Sequence, residues 1–241
     1  MNPLIRYLIN EGYIVTPEIQ RAFSAIDRAK FTGGRFSEGE IYQDVALTLE
    51  SGEMMFHPST TAQMVELLAP KPDEKVLEVG TGSGWQTAVI ACLVSNFANM
   101  ANADNKDSIV PNAEHESPND GDVFISSAIV PRGRVISIER NKLICEQAVK
   151  NIEQYGFMRG GVVAVIRRDG VFGYNKEAPY DKIISTICPN VIPPKWKDNL
   201  KVGGRLVTPF GQSILVLDKT GKNSFKKSSY FGFTFSKTVF A

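Results

Sequence analysis

The residues best suited to chemistry lie in one stretch, from Lys75 to Cys92, with the sequence KVLEVGTGSGWQTAVIAC. Its apolar start predicts a short buried strand, and its end, from Trp85 onward, predicts a helix. Between them lie three alternating glycines, Gly80, Gly82 and Gly84. Because glycine accepts positive φ and carries no side chain, such a turn lets the backbone come close to a ligand. The helix start offers unpaired N–H groups that suit an anion, although such a turn can also serve only to pack a helix onto a strand.

The spacing of these glycines separates two classes of nucleotide cofactor. A dinucleotide-binding turn has the pattern G-x-G-x-x-G, and its third glycine would fall at Trp85. Here Glu78 instead precedes an alternating series, which resembles motif I of S-adenosylmethionine-dependent methyltransferases. The resemblance implies S-adenosylmethionine as the cofactor. Its carboxylate would lie at the helix start, and its ammonium would be attracted by the negative charge of Glu78. The cofactor-binding candidates in this stretch are Glu78, Gly80, Thr81, Gly82, Ser83 and Gly84.

Two further acidic residues follow predicted strands, at 134–139 and 161–166. Glu139 ends the first strand and can accept both ribose hydroxyls of a nucleoside, as in dinucleotide folds; the alternative is a solvated glutamate. After the second strand, Asp169 can accept from an adenine amine and Gly170 lets the ring approach; the alternative is a simple turn. Because the carboxyl ends of parallel strands meet at one edge of a sheet, we expect these residues and the glycine turn to share one crevice.

The elements that must position these residues alternate between strand and helix, which predicts an α/β fold with a Rossmann-like, doubly wound, mostly parallel sheet. Two short helices within residues 2–30 predict a helical N-terminal extension. Near the end of the chain, Ser213–Asp218 is expected to pair with Arg205–Pro209 as an antiparallel C-terminal hairpin. A final strand is predicted at Tyr230–Val239, where aromatic residues are frequent.

The chain divides into two predicted regions. Residues 1–72 form a helical, substrate-side region, and residues 73–241 form the cofactor-binding α/β domain. Within the second region, residues 96–132 contain six asparagines, six acidic residues and two basic ones, with little periodicity. This composition predicts a flexible insertion, and the alternative is a lid that contributes to specificity.

Composition limits the remaining classes of function. The 241 residues are 43% hydrophobic and 22% charged, which is typical of a soluble globular protein, and the net charge of +1 does not favour binding to nucleic acid. The three cysteines, Cys92, Cys145 and Cys188, are far apart and predict a reducing compartment rather than a disulfide framework. Neither a signal peptide nor an apolar run of about 18 residues is visible, so we expect no membrane association and a cytoplasmic location. No metal site is expected.

The ordered motifs together are similar to those of the protein-L-isoaspartate O-methyltransferase family, over nearly the whole chain apart from the insertion. The matching segments are 42–47 (YQDVAL), 76–91 (VLEVGTGSGWQTAVIA), 135–140 (VISIER), 168–174 (RDGVFGY) and 180–211. The resemblance implies binding of S-adenosylmethionine and esterification of the α-carboxylate of isoaspartyl residues in a damaged protein or peptide, after which the ester cyclises to a succinimide. It also places Arg140 and Thr186 among the cofactor-binding candidates. We expect the chain to act as a monomer.

One departure from the family concerns the acceptor side. The family carries an I-S-x-P segment whose serine is tied to activity, and alignment on Pro58 places Phe56 at the serine position. A phenyl ring offers no hydroxyl to hold a carboxylate, so Phe56 is expected to alter the acceptor pocket. Polar residues that follow it are His57, Ser59 and Thr60. His57 is the candidate base, although a carboxylate nucleophile is already deprotonated at neutral pH.

The catalytic candidates are therefore Phe56, His57 and Thr60, with Ser236 as the polar residue of the divergent terminal strand. The leading interpretation is a methyltransferase of the isoaspartyl-repair type. A related methyltransferase with a different acceptor and a non-catalytic S-adenosylmethionine-binding adaptor are the alternatives. An NAD-dependent oxidoreductase ranks behind them, because Trp85 occupies the position where a glycine is needed.

Overall fold

The computed structural model describes residues 2–95, 123–124 and 133–235. The predicted insertion at 96–132 lies outside these ranges except for Val123–Phe124, and Ser236 lies outside them as well. The helices described are α1 (Pro3–Asn10), α2 (Pro17–Ala25), α3 (Glu38–Ile41), α4 (Pro58–Leu68), α5 (Trp85–Val94), α6 (Lys142–Glu153) and α7 (Pro194–Asn199). The strands described are β1 (Leu47–Thr48), β2 (Met54–Met55), β3 (Lys75–Val79), β4 (Val123–Phe124), β5 (Arg134–Glu139), β6 (Val163–Arg167), β7 (Tyr180–Ser185), β8 (Leu200–Phe210), β9 (Ser213–Lys219) and β10 (Phe225–Phe231).

Eight of these strands form one sheet in the order β4-β6-β5-β3-β7-β8-β9-β10. The five strands from β6 to β8 in that order run parallel, whereas β4 is antiparallel to β6 and β9 is antiparallel to both β8 and β10. This arrangement confirms the predicted doubly wound, mostly parallel sheet with an antiparallel C-terminal hairpin. The order of strands reverses at β3, and ligands of such sheets bind at that reversal, beyond the carboxyl ends of the strands.

The sheet is covered by a hydrophobic core on each face. One core joins residues of α1, α2, α4, α5 and α6 with the sheet, and the other joins Leu77, Tyr180 and Trp196. Helix α5 lies between the sheet and the N-terminal helices, and nine of its ten residues are buried. The ring of Phe23 in α2 meets the ring of Trp85 edge-on, with centroids 5.5 Å apart. The predicted helical N-terminal extension is thus packed directly onto the helix that follows the glycine turn.

Several predicted strand boundaries were wrong, and short-range turns explain the differences. The last strand within the described residues is β10, at Phe225–Phe231, whereas a strand was predicted from Tyr230; positions 236–239 of that prediction lie outside the described residues. A tight turn at 220–224 explains the earlier start, because it leads directly into pairing of Phe225 with Lys219. Strand β6 begins at Val163 rather than at Gly161, which has a φ of +69° and closes a turn.

The predicted division of the chain at residue 72 stays a prediction, although residues from both sides of it share one core. No helix in the described part of the chain combines the length and the apolar character needed to cross a bilayer.

Candidate functional site

The glycine turn between β3 and α5 is tied to the neighbouring strands. The N–H groups of Gly80 and Thr81 donate to the carbonyl of Ile138 at 2.8 and 3.1 Å. Gly80 has a φ of +94°, and a Cβ atom at this position would overlap the hydroxyl oxygen of Thr186. That hydroxyl donates to the carbonyl of Gly80 at 2.8 Å. Residue 80 is therefore glycine for two reasons, its backbone conformation and the close approach of β7.

Glu78 lies beneath this turn in the interior of the protein, and its role as a cofactor-binding residue stays a prediction. The side chain is fully buried, and its carboxylate accepts hydrogen bonds from Gln86 at 2.9 Å, from Ser137 at 2.7 Å and from Thr87. Side chains alternate along a strand, so Glu78 points to the same face of β3 as Val76, into the helical layer. Burial raises its pKa from 4.5 to about 7, against the opposing effect of the three hydrogen bonds.

Glu139 ends β5 and does reach the edge of the sheet. It is 8% exposed, and its two carboxylate oxygens accept from the N–H groups of Asn141 at 3.0 Å and Gly82 at 3.3 Å. Burial raises the pKa of Glu139 and the charge of Glu53 adds to the effect, while the backbone N–H groups oppose it. The contact with Gly82 fixes the glycine turn against the end of the neighbouring strand.

Asp169 and Gly170 follow β6 at the same edge. A carboxylate oxygen of Asp169 accepts from the N–H of Val171 at 2.9 Å and caps a short 3₁₀ turn. A Cβ atom on Gly170 would overlap a methyl group of Val79, so this residue allows the segment to lie directly against β3. The indole N–H of Trp196 donates to the carbonyl of Gly170 at 2.8 Å. The second core thereby holds the Asp169 turn in place.

A cavity of about 90 Å³, open to solvent, lies between these strand ends. Six of the predicted cofactor-binding residues line it: Gly80, Glu139, Arg140, Asp169, Gly170 and Thr186. The lining residues that the sequence did not single out are Val79, Ile138 and Ile187. Each lies next to a predicted strand-end residue, which is the signal that could have identified it. Apolar walls with a few convergent polar groups are typical of sites for small organic ligands.

A larger cavity, of about 520 Å³, includes Gly82, whose N–H donates to Glu139 of the smaller cavity. It is also lined by Ser83, by the segments 31–35 and 49–51, and by residues between 143 and 150 of α6. Thr81, the remaining predicted residue of the turn, lines neither cavity and is 4% exposed. Its hydroxyl lies 2.6 Å from that of Ser137, which links the turn to the buried Glu78 network.

The three catalytic candidates line neither of these cavities. Phe56 is half-buried, and its ring lies 5.6 Å from that of Phe235 between centroids. His57 is exposed at the start of α4 and makes no side-chain capping hydrogen bond there. Thr60 lies in the first turn of α4 and is half-buried. Their catalytic roles stay predictions, and Ser236 lies outside the described residues.

Within residues 2–95 and 133–235, no group of three histidine, cysteine, aspartate or glutamate side chains is arranged to hold a metal ion.

The family model and the known proteins that match this chain agree with each other over most of its length. A family model described as "Protein-L-isoaspartate(D-aspartate) O-methyltransferase (PCMT)" matches residues 1–121 and 120–237. A protein-L-isoaspartate O-methyltransferase from Pyrobaculum neutrophilum is 32% identical over 229 residues, which are 93% of this chain and 92% of that one.

Two solved structures have the same fold. A protein-L-isoaspartate O-methyltransferase is 23% identical with a TM-score of 0.75, and the match covers 98% of this chain and 65% of that longer chain. A protein of the same name from Plasmodium falciparum, in complex with S-adenosyl-L-homocysteine, is 19% identical with a TM-score of 0.72 and matches 97% of this chain and 95% of its own. These similarities extend over both the N-terminal helices and the sheet.

Proposed function

Because the chain belongs to the protein-L-isoaspartate O-methyltransferase family, we propose that it methylates the α-carboxylate of L-isoaspartyl residues in damaged proteins or peptides, with S-adenosylmethionine as the donor. The observation that carries this proposal is the convergence of Gly80, Glu139 and Asp169 on one cavity. That cavity lies at the carboxyl edge of the sheet, where doubly wound folds bind nucleotide ligands.

The residues around this cavity fit a nucleoside. Each carboxylate oxygen of Glu139 accepts one backbone N–H, which leaves lone pairs for the two ribose hydroxyls. We expect Asp169 to accept from the amine of adenine, and Gly170 lets this segment lie directly against Val79. Apolar walls for the ring are supplied by Val79, Ile138 and Ile187. We assign the nucleoside half of the cofactor to this cavity.

The reaction requires little acid–base chemistry from the protein. S-adenosylmethionine supplies an electrophilic methyl group on a sulfonium, which a carboxylate oxygen can attack as the carbon–sulfur bond breaks. A carboxyl group with a pKa near 4 is already ionised at neutral pH, so His57 is not needed as a base. The chain's contribution is to align the two reactants and to exclude water. The larger cavity beside Gly82 and the segment that contains Phe56 are the candidates for this role.

The proposal is tested with an isoaspartyl peptide, a peptide of the same sequence with a normal aspartate, and S-adenosylmethionine. We expect methyl ester formation, measured by mass spectrometry, on the isoaspartyl peptide alone. Titration calorimetry should detect binding of S-adenosylhomocysteine and none of NAD. Binding without ester formation would reject isoaspartyl methylation and would leave the adaptor or a different acceptor. Binding of NAD instead would reject the cofactor assignment.

One observation favours a second candidate function, a methyltransferase with another acceptor. The residue at the family's serine position is Phe56, and its ring packs against Phe235 rather than presenting a hydrogen-bond donor. An acceptor pocket next to an aromatic ring would suit a carboxylate with an apolar neighbour better than a strongly solvated one. Isoaspartyl peptides and carboxylates that lack an isoaspartyl residue but carry an apolar group beside the carboxylate separate the two candidates, since only the second predicts methyl transfer mainly to the latter.

Further expectations from composition stay predictions. We propose that the chain is a monomer, that it does not bind nucleic acid and that it acts in the cytoplasm. Light scattering during gel filtration measures the first, and titration of labelled DNA and RNA measures the second. A stable dimer or a submicromolar affinity for either polymer would contradict them.

A further inference from the structure

Arg28 is a buried cation that the proposed cofactor chemistry does not use. It follows α2 and is 2% exposed, and among the described residues no carboxylate forms an ion pair with it. Removal of a guanidinium from water costs several kcal/mol unless other groups replace the lost hydration. Its burial therefore requires a specific set of acceptors.

Those acceptors are backbone carbonyls of one segment, residues 41–56. One terminal nitrogen of Arg28 donates to Ile41 at 2.8 Å and to Gln43 at 3.3 Å. The other donates to Val45 at 2.8 Å and to Phe56 at 3.4 Å. After Ile41, the last residue of α3, this segment contains only two strands of two residues each, so many of its carbonyls have no partner in regular structure. Buried carbonyls need such partners, and Arg28 supplies four of them with one side chain.

The same guanidinium also contacts the helix that follows the glycine turn. Its central carbon lies 5.5 Å from the centroid of the Trp85 ring, within the range of a cation–π interaction. The indole N–H of Trp85 donates to the carbonyl of Ile26 at 3.2 Å, and its backbone N–H donates to the hydroxyl of Ser83 at 3.3 Å. Arg28 is thus in contact with both the 41–56 segment and the first residue of α5.

A charged residue within the segment strengthens this arrangement. Burial lowers the pKa of Arg28 to about 10 and the negative charge of Asp44 opposes this shift, so the side chain stays protonated at neutral pH. Asp44 also accepts from the N–H of Ser59 at the start of α4 at 2.8 Å. The segment is therefore held by Arg28 through carbonyls at both of its ends and by the first turn of α4 through Asp44.

We propose that Arg28 is a positioning residue that holds the 41–56 segment, including Phe56, against the helix of the cofactor-binding turn. The inference that this affects methyl transfer rests on the proposed function, whereas the effect on the segment itself does not. Loss of the guanidinium should free the segment and leave the parallel sheet and the nucleoside cavity intact. The consequence would be a misplaced acceptor rather than a lost cofactor.

The test uses Arg28→Ala and Arg28→Lys in the full chain, with Arg21→Ala as a matched control because Arg21 is exposed on α2. Hydrogen–deuterium exchange should accelerate at least about tenfold in residues 41–56 of both variants and stay unchanged in β5. Affinity for S-adenosylhomocysteine should change less than about threefold, while kcat/KM for an isoaspartyl peptide falls at least about tenfold. The lysine variant keeps the charge and guards against failure of the alanine variant to fold.

Chemical rescue separates positioning from general stability. A cavity of about 220 Å³ adjoins Arg28 and Trp85, so guanidinium ion at millimolar concentration has room to enter the alanine variant. We expect it to restore protection of residues 41–56, and ammonium at the same ionic strength to restore none. Equal acceleration of exchange in β5, or no protection by guanidinium, would overturn the proposal. If the wild-type chain does not methylate the peptide, the proposed function fails, but the exchange result still decides the role of Arg28.

Discussion

Replacement of Glu78 tests the buried network beneath the glycine turn. This carboxyl group has a pKa of about 7 in the folded chain and an ordinary value of 4.5. Burial is the main cause, and hydrogen bonds from Thr87, Ser137 and Gln86 offset part of it. Since the group is fully buried, its ionisation should have a measurable effect on folding.

The direction of this effect follows from the raised pKa. Below pH 4.5 the group is protonated in both states, and its full contribution to stability is present. As the pH rises, the unfolded chain ionises first, and stability is lost until the folded chain ionises near pH 7. The difference of 2.5 units between 7 and 4.5 corresponds to about 3 kcal/mol, at about 1.4 kcal/mol per unit.

Glu78→Gln should remove this dependence because the amide does not ionise. We expect the free energy of unfolding of the variant, relative to the wild type, to increase by about 2 to 3 kcal/mol between about pH 5 and about pH 8. Urea denaturation at several pH values measures this free energy, provided that its dependence on urea concentration, the m value, is the same for the two proteins. The hydroxyls of Thr87 and Ser137 can rotate to accept from the new amide, so the variant should fold.

The control is Glu11→Gln, which removes an exposed carboxylate at the end of α1. The free energy of unfolding of this variant should depend on pH in the same way as that of the wild type across this range. The reasoning would be refuted if the difference in free energy of unfolding between Glu78→Gln and the wild type stayed constant within about 0.5 kcal/mol across this pH range. It would mean that Glu78 is ionised at its ordinary pKa, and that water or a cation reaches it in solution.

Three further substitutions test the site at the sheet edge. Glu139→Ala should weaken S-adenosylhomocysteine binding by about 1–3 kcal/mol, the scale for hydrogen bonds to a charged group, and unaltered affinity in calorimetry would remove Glu139 from the site. Gly80→Ala should cost about 3 kcal/mol or more in thermal or urea unfolding, because it adds overlap with Thr186 to an unfavourable φ. Gly82→Ala is its control, because the φ of Gly82 is +52° but a Cβ there would meet nothing within 4 Å. We expect it to lower the free energy of unfolding by about 1 kcal/mol. Equal losses of stability in the two variants would contradict the overlap argument. Phe56→Ser should raise turnover of an isoaspartyl peptide while costing about 1–3 kcal/mol of stability through the lost ring contact, and unchanged turnover in a folded, cofactor-binding variant would count against the alignment on Pro58.

Short segments of the sequence predicted which residues lie together at the edge of the sheet. The strand at Arg134–Glu139 was predicted with its observed ends, and six residues predicted to bind the cofactor line the smaller cavity, although their binding role stays a prediction. The agreement in position has a physical basis, because alternating strand patterns and glycine turns depend on neighbours a few residues apart. The parallel topology then follows from strand–helix alternation and brings strand ends to one edge, so it can be inferred without knowing the individual long-range side-chain contacts.

Prediction was weaker where a residue's partners are distant in the chain. Glu78 precedes the glycines as a ligand-facing acid would, yet its hydrogen bond with Ser137 spans 59 residues and places it in the interior. One local feature indicated this burial: Glu78 lies two residues after the core residue Val76, so both side chains point to the same face of the strand. That feature predicts burial of Glu78 only when it is known which face of the sheet α5 covers.

The sequence by itself therefore determined the fold class, the position of the glycine turn and the residues at the ends of the central strands. The tertiary structure decided which of the acidic residues faces the cavity and that Arg28 holds the 41–56 segment. The physical reason is the range of the interactions. Periodicity and turn chemistry are encoded within a few residues, whereas the burial of a charge depends on which carbonyls and hydroxyls the completed fold brings next to it.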